Sequence, residues 1–275
     1  MALPAQSPQP EPEGSGRPEA AAPPWSTGNG DVGVGAAQLE AFDRSLKAPQ
    51  QLALFLRLLG PLKGRRCLFL SRGANEGAMS FRLRAAGGSW TWSVTEPEPV
   101  PEMRTLLGEQ VHLLAADALP FCDADFDRVL VTDVQHYLRQ GGAVAREVSR
   151  VLAPGGVVVL AAPRRVRRFP FGILQGRDGR APTFGDEGAP VAPQLSEDAL
   201  VALAEAGGLI PVARGTCCRL FTQLVETWSP LKGGPGRLIA ALDHLIPGNG
   251  GYEVAIAARK PVPPGHPGDT PYLQG

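Results

Sequence analysis

Gly73 and Gly77 stand four residues apart, directly after the apolar run Cys67-Leu-Phe-Leu70 and Ser71, and a helical pattern begins at Ala78. A buried strand, a tight glycine turn and a helix N-terminus in that order bring backbone N–H groups within reach of a nucleotide-like ligand. The two glycines supply the conformational freedom of the turn and let the backbone approach the ligand closely. Elsewhere, Arg164, Arg165, Arg167 and Arg168 crowd around Val166. They read as a site for a phosphate or carboxylate, or as a solvated basic loop. Adjacent Cys217 and Cys218 offer metal ligation, a redox pair, or two thiols buried in a reducing cytosol.

These residues need a scaffold, and the hydrophobic periodicity predicts one. Short helices are expected over Ala37–Lys47 and Gln50–Leu59, the second started by Pro49 and carrying Leu52, Phe55, Leu56 and Leu59 on one face. Strands are expected at Cys67–Ser71, Ser89–Thr95, Val111–Leu114, Phe126–Thr132, Val157–Ala161, Leu209–Gly215 and Tyr252–Ala258. Helices are expected at Ala78–Ala86, Val144–Leu152, Ser196–Ala206, Leu220–Trp228 and Arg237–Leu245. Ser196 has the chemistry of an N-cap, Glu197 and Asp198 suit a helix N-terminus, and Leu195 with Leu200 fits a hydrophobic staple. Near-continuous apolar strands alternating with helices imply a parallel sheet covered on both faces. Tight hairpin signals, which a sandwich or barrel needs, are missing.

The 275 residues, 43% of them hydrophobic, suffice for one large α/β domain. The 27 basic and 27 acidic side chains cancel, so no net field draws the chain to nucleic acid or to an anionic membrane. No apolar run approaches the roughly 20 residues of a membrane span, and the N-terminus has no signal-peptide pattern. The expected location is cytoplasmic. Residues 1–35 lack core-forming side chains and read as a disordered N-terminal tail. Residues 36–260 form the folded domain, with 163–195 as a lid or insertion loop. Residues 261–275 form a flexible C-terminal tail.

The order of elements and several local phrases resemble a class I S-adenosylmethionine-dependent methyltransferase of the methyltransferase type 11 kind. Gly73-Ala-Asn-Glu-Gly77 is similar to the family's first, glycine-rich motif. Leu113-Leu-Ala-Ala-Asp-Ala-Leu-Pro-Phe121 followed by Asp125-Phe-Asp127 is similar to the segment that meets the adenine. Thr132-Asp-Val-Gln-His-Tyr-Leu138 resembles the motif after the fourth strand. Arg146-Glu-Val-Ser-Arg-Val-Leu-Ala-Pro-Gly-Gly156 resembles the late helix and turn. Phe221-Thr-Gln-Leu-Val-Glu226 and Gly251-Tyr-Glu-Val-Ala-Ile-Ala257 resemble a bacterial subgroup with helices inserted before the last strand. The resemblance covers about residues 50 to 260. It implies a doubly wound, mostly parallel seven-stranded sheet with helices on both faces, S-adenosyl-L-methionine as cofactor, and no metal.

The resemblance also assigns roles. Ser71, Gly73, Asn75, Gly77, Glu96, Asp117, Ala118 and Asp133 fall in the cofactor site. Asp117 would accept from the adenine amino group and the Ala118 N–H would donate to a ring nitrogen; alternatively, Asp117 and Asp123 punctuate turns. His136 is the candidate for chemistry, near the sulfonium or as a base toward the acceptor, or else it caps a strand–helix junction. Ser71 stands where the family carries an acid facing the methionine amino group. Thr95 stands where it carries one facing the ribose, with Glu96 one residue later. A hydroxyl is a weaker partner than a carboxylate for an ammonium. Two functions therefore follow: methyl transfer to a small-molecule or glycan/lipid-linked acceptor, or a catalytically silent methyltransferase-like binding or scaffold protein.

Overall fold

Phe69 and Leu70 are neighbours in the chain and lie in different hydrophobic cores. That alternation organises the molecule, because successive side chains of a strand point to opposite faces. The computed structural model describes residues 31–71, 77–95, 97, 100–107, 111–114, 118–132, 134, 143–163, 195–218, 222, 225, 238, 241–245, 251 and 253–264. Among them lie seven strands: β1 Arg66–Ser71, β2 Ser89–Val94, β3 Val111–Leu113, β4 Phe126–Val131, β5 Leu152–Pro163, β6 Ile210–Cys217 and β7 Glu253–Arg259. The helices are α1 Asp31–Arg44, α2 Lys47–Leu59, α3 Gly77–Ala85, α4 Val100–Leu107, α5 Ala143–Val151 and α6 Glu197–Ala206, with a 3-10 turn at Leu242–Leu245.

The strands form one sheet in the order β3-β2-β1-β4-β5-β7-β6. All neighbouring pairs are parallel except those of β7, which runs antiparallel to both β5 and β6. The expected doubly wound, mostly parallel sheet is therefore present. One face packs Cys67, Phe69, Trp92, Leu130 and Val159 against side chains of α1 to α4. The other packs Leu68, Leu70, Val129, Val131, Val158 and Leu160 against α5 and α6. Burial on both faces is why these strands read as continuous apolar runs. Trp90 and Trp92 add a stacked pair with centroids 5.2 Å apart, and Phe69 meets Trp92 edge-on at 5.9 Å.

Several element ends differ from expectation for identifiable reasons. α1 begins at Asp31, so the expected boundary at residue 35 falls inside a helix. α2 begins at Lys47, because the Ser45 hydroxyl accepts from the N–H groups of Lys47 (3.1 Å) and Ala48 (3.2 Å). Pro49 is thus in the first turn, where its missing N–H costs nothing. The buried stripe of α2 is Leu54, Phe55, Leu58 and Leu59, with Leu52 and Leu56 at its margin. α4 occupies a stretch with no expected element; Val100, Met103 and Leu107 fill its buried face. β5 starts at Leu152, five residues early, because Leu152 already pairs with Phe126. Ser196 caps α6 as expected, accepting from the Ala199 N–H at 3.1 Å, and Leu195 and Leu200 join one core cluster. The helices expected over 220–228 and 237–245 lie largely outside the described residues, apart from the 3-10 turn.

Candidate functional site

The strand order reverses between β1 and β4, and a doubly wound sheet binds its ligand beyond the carboxyl ends of the strands at such a switch point. Backbone bonds lay out that edge. The Thr132 N–H donates to the Leu70 carbonyl (3.1 Å), the Thr95 N–H to the Ser71 carbonyl (3.3 Å), and the Leu114 N–H to the Val94 carbonyl (2.8 Å). The ends of β3, β2, β1 and β4 are thereby locked in line. Gly77 is buried and opens α3, which follows β1.

Ser71 closes β1 and is fully buried. β2 ends at Val94, and Thr95 extends the ladder by one bond beyond it. The Thr95 hydroxyl oxygen is buried and has no hydrogen-bond partner among the described residues. A buried hydroxyl without a partner is costly to maintain unless something else satisfies it. It lies just past the end of β2, on the edge where a doubly wound sheet takes its ligand. Together with the buried Ser71, this suits a ligand that brings hydrogen-bonding groups, as adenosylmethionine does. Ala118 is exposed in a bend beyond β3. Gly73, Asn75, Glu96, Asp117, Asp133 and His136 lie outside the described residues, as does the Arg164–Arg168 cluster.

The structure adds residues that motif reading did not single out. On α5, Glu147 and Arg150 form a two-pronged ion pair, Nε to Oε1 at 3.0 Å and Nη2 to Oε2 at 2.8 Å. Glu147 Oε2 also accepts the Leu119 N–H at 3.0 Å. Arg150 donates to the carbonyls of Leu119 (3.0 Å) and Phe121 (2.8 Å) and to the Asp123 carboxylate (2.7 Å). The hydrogen bond from Arg150, then that from the Leu119 N–H, holds the Glu147 carboxyl below its ordinary range against the opposing effect of burial. Asp123 is therefore tied to α5, in keeping with a turn role. The visible signal was the i, i+3 spacing of Glu147 and Arg150 on a helix.

At the other end of the same edge, Cys217 closes β6 opposite Glu253, the first residue of β7. The Cys217 and Cys218 sulfurs are 3.5 Å apart, and all four cysteines are free thiols. Cys67, Cys217 and Cys218 are buried and Cys122 is exposed. The hydrogen bond to Cys218 and burial push the Cys217 thiol far above its ordinary pKa. Gln50 of α2 ties this corner together: its side-chain carbonyl accepts the Cys218 N–H (3.1 Å) and its amide donates to the Thr222 hydroxyl (2.7 Å). Among the described residues, no group of three or more His, Cys, Asp or Glu side chains has the arrangement of a metal site, and no helix is long and apolar enough to cross a membrane.

Comparison with known proteins agrees with this architecture. Residues 70–160 match a family model described as a methyltransferase domain. Among solved structures, the cyclase SpnF is 19% identical, over 78% of this chain and 82% of its own, with a TM-score of 0.53. A methyltransferase from Mesorhizobium loti, described as S-adenosylmethionine dependent, is 15% identical over 80% of this chain and 100% of its own, with a TM-score of 0.51. A SAM-dependent methyltransferase from Methanosarcina mazei is 18% identical over 76% and 97%, with a TM-score of 0.50. At these identities the structural likeness is one of fold, and the match over 70–160 supplies the sequence signal. Residues 70–160 thus match a methyltransferase domain, and the sheet they help to build has the fold of S-adenosylmethionine-dependent methyltransferases.

Proposed function

We propose that this chain transfers the methyl group of S-adenosylmethionine to a small-molecule or glycan/lipid-linked acceptor in the cytoplasm. The observation that carries the reading is the buried Thr95 hydroxyl, without a partner among the described residues, just past the carboxyl end of β2, where its backbone N–H meets the Ser71 carbonyl. The bound cofactor supplies an electrophilic methyl on a sulfonium. The residues of the chain bind and orient it. Ser71, Gly73, Asn75, Gly77 and Asp133 take the methionine end, Thr95 and Glu96 the ribose, and Asp117 and Ala118 the adenine. Because β2 ends at Val94, Glu96 is not held to the alternation of a continuing strand. His136 faces the acceptor side in this reading. Holding nucleophile and methyl in line supplies much of the acceleration such a reaction needs. The domain spans 36–260 together with the start of α1, 163–195 acts as a lid, and 1–35 and 261–275 are tails. Buried free thiols suit a reducing compartment.

A second reading, a methyltransferase-like binding or scaffold protein, is favoured by the hydroxyl residues Ser71 and Thr95 at two positions where the family carries acids. The cyclase SpnF illustrates that this fold serves more than one named activity. Calorimetric titration of the purified chain with adenosylmethionine and adenosylhomocysteine separates the two. Binding of both supports the methyl-transfer reading, and absence of binding at millimolar ligand leaves the scaffold reading.

A further inference from the structure

We propose that Glu147 and Arg150 of α5 are positioning residues for adenine recognition: by clamping Leu119–Asp123 they fix the residue that follows Ala118, and so limit how the Ala118 N–H can approach the purine edge. The inference rests on the cofactor reading above. Both polar groups of the Leu119 backbone are taken by this one ion pair, its N–H by Glu147 and its carbonyl by Arg150. Leu119 directly follows Ala118. The Phe121 carbonyl and the Asp123 carboxylate occupy further donors of the same guanidinium. Within 118–123 the one backbone hydrogen bond among the described residues is a tight one, Phe121 N–H to Leu119 carbonyl at 2.8 Å. The segment therefore takes its shape from α5 and not from secondary structure of its own.

α5 is itself anchored. The Lys260 ammonium donates to the carbonyls of Ser149 (2.6 Å) and Leu152 (2.7 Å), and the Ala124 N–H donates to the Arg150 carbonyl (3.0 Å). Leu119 is buried in the core on the α5 face of the sheet, while Phe121 packs edge-on against His112 of β3 (5.4 Å) and Phe126 of β4 (5.0 Å). Only a planar fork of donors reaches three carbonyl and carboxylate acceptors at once while gripping Glu147; a lysine ammonium does not.

The consequence is selectivity. A backbone N–H aimed at N1 of the purine finds an acceptor in adenine and a competing N–H in hypoxanthine. A rigid peptide rejects hypoxanthine, because neither group can be satisfied, whereas a loosened peptide can turn away. The test is calorimetric titration of the full chain with S-adenosylhomocysteine and its inosine counterpart. Wild type is expected to prefer the adenine compound by about tenfold or more, and Arg150→Lys to bring that ratio below about threefold. Glu147→Gln keeps the shape and an acceptor, and it serves as the second variant should Arg150→Lys not fold. It is expected to lower the ratio in the same direction. A folded variant that weakens both ligands equally, or keeps the wild-type ratio, overturns the proposal. If wild type binds neither compound, the cofactor reading itself has failed and the clamp has no adenine to position.

Discussion

The backbone N–H of Thr95 donates to the carbonyl of Ser71 at 3.3 Å, so these two hydroxyl residues are joined to each other at the ends of adjacent strands. Their backbones meet at the carboxyl edge of the sheet. Ser71 is fully buried, and so is the Thr95 hydroxyl oxygen. A change at either should therefore be felt through the ligand, because the strand ladder that holds them is a backbone feature.

Ser71→Asp is expected to bind adenosylmethionine about tenfold tighter than wild type, since a carboxylate facing an ammonium exceeds a hydroxyl by about 1–2 kcal/mol. The gain should shrink for a ligand without the amino group. Burial of the new carboxylate costs the unliganded protein stability, so its melting temperature should fall while its affinity rises. Titration and thermal unfolding of the same sample check both halves. Weaker binding by the mutant would show that Ser71 does not face the amino end.

Thr95→Val keeps the shape and removes the unpartnered hydroxyl. Without ligand the variant should be as stable as wild type or more stable by about 1 kcal/mol, because a buried unsatisfied group has been removed. Adenosylmethionine should bind it about threefold to tenfold more weakly, the worth of one hydrogen bond. If stability falls and affinity stays, the hydroxyl serves the fold.

Cys67 gives the chain a predictable alkaline weakness. Burial pushes its thiol from 9.0 up to about 12. In the folded state it keeps its proton where the unfolded chain has lost it. Its contribution is therefore complete below pH 9.0, declines as pH rises above that value, and is lost by about pH 12. Denaturant midpoints measured across that window should fall with pH in wild type and fall less in Cys67→Ala. Iodoacetamide at neutral pH should modify exposed Cys122 first and leave Cys67 and Cys217 slow, because the thiolate is the reactive form.

Deleting residues 1–30 should leave the melting temperature unchanged, whereas deletion through Arg44 should lower it. The second cut removes Phe42, buried in the core beneath α1, and the ion pair between Asp43 and Arg82 of α3. Phe42→Ala alone should cost about 3 kcal/mol. An unchanged melting temperature after the longer deletion would show that α1 contributes nothing to the domain.

Much of the fold was legible because its strands are buried on both faces. Cys67-Leu-Phe-Leu70, Val129-Leu-Val131 and Val157-Val-Val-Leu160 cannot be mistaken for half-exposed strands, and Gly87-Gly88 and Gly60-Pro61 mark ends that periodicity alone leaves vague. Ser196 read as a cap and acts as one. α4 was missed because Val100, Met103 and Leu107 form a short stripe behind Pro97 and Pro99 with Pro101 inside it, and short stripes carry little periodic signal.

The sequence by itself determined the alternation of strands and helices, the balance of charge, and the hydroxyl residues Ser71 and Thr95 at the two strand ends. It did so because propensity, periodicity and residue type are local properties. Only the tertiary structure decided that β7 slips antiparallel between β5 and β6, that Glu147 and Arg150 hold the segment beside Ala118, and that the Thr95 hydroxyl is buried without a partner among the described residues. Each of those depends on groups brought together from distant parts of the chain. Their energies come from register, desolvation and shared hydrogen bonds, which have no value until the sheet has closed around them.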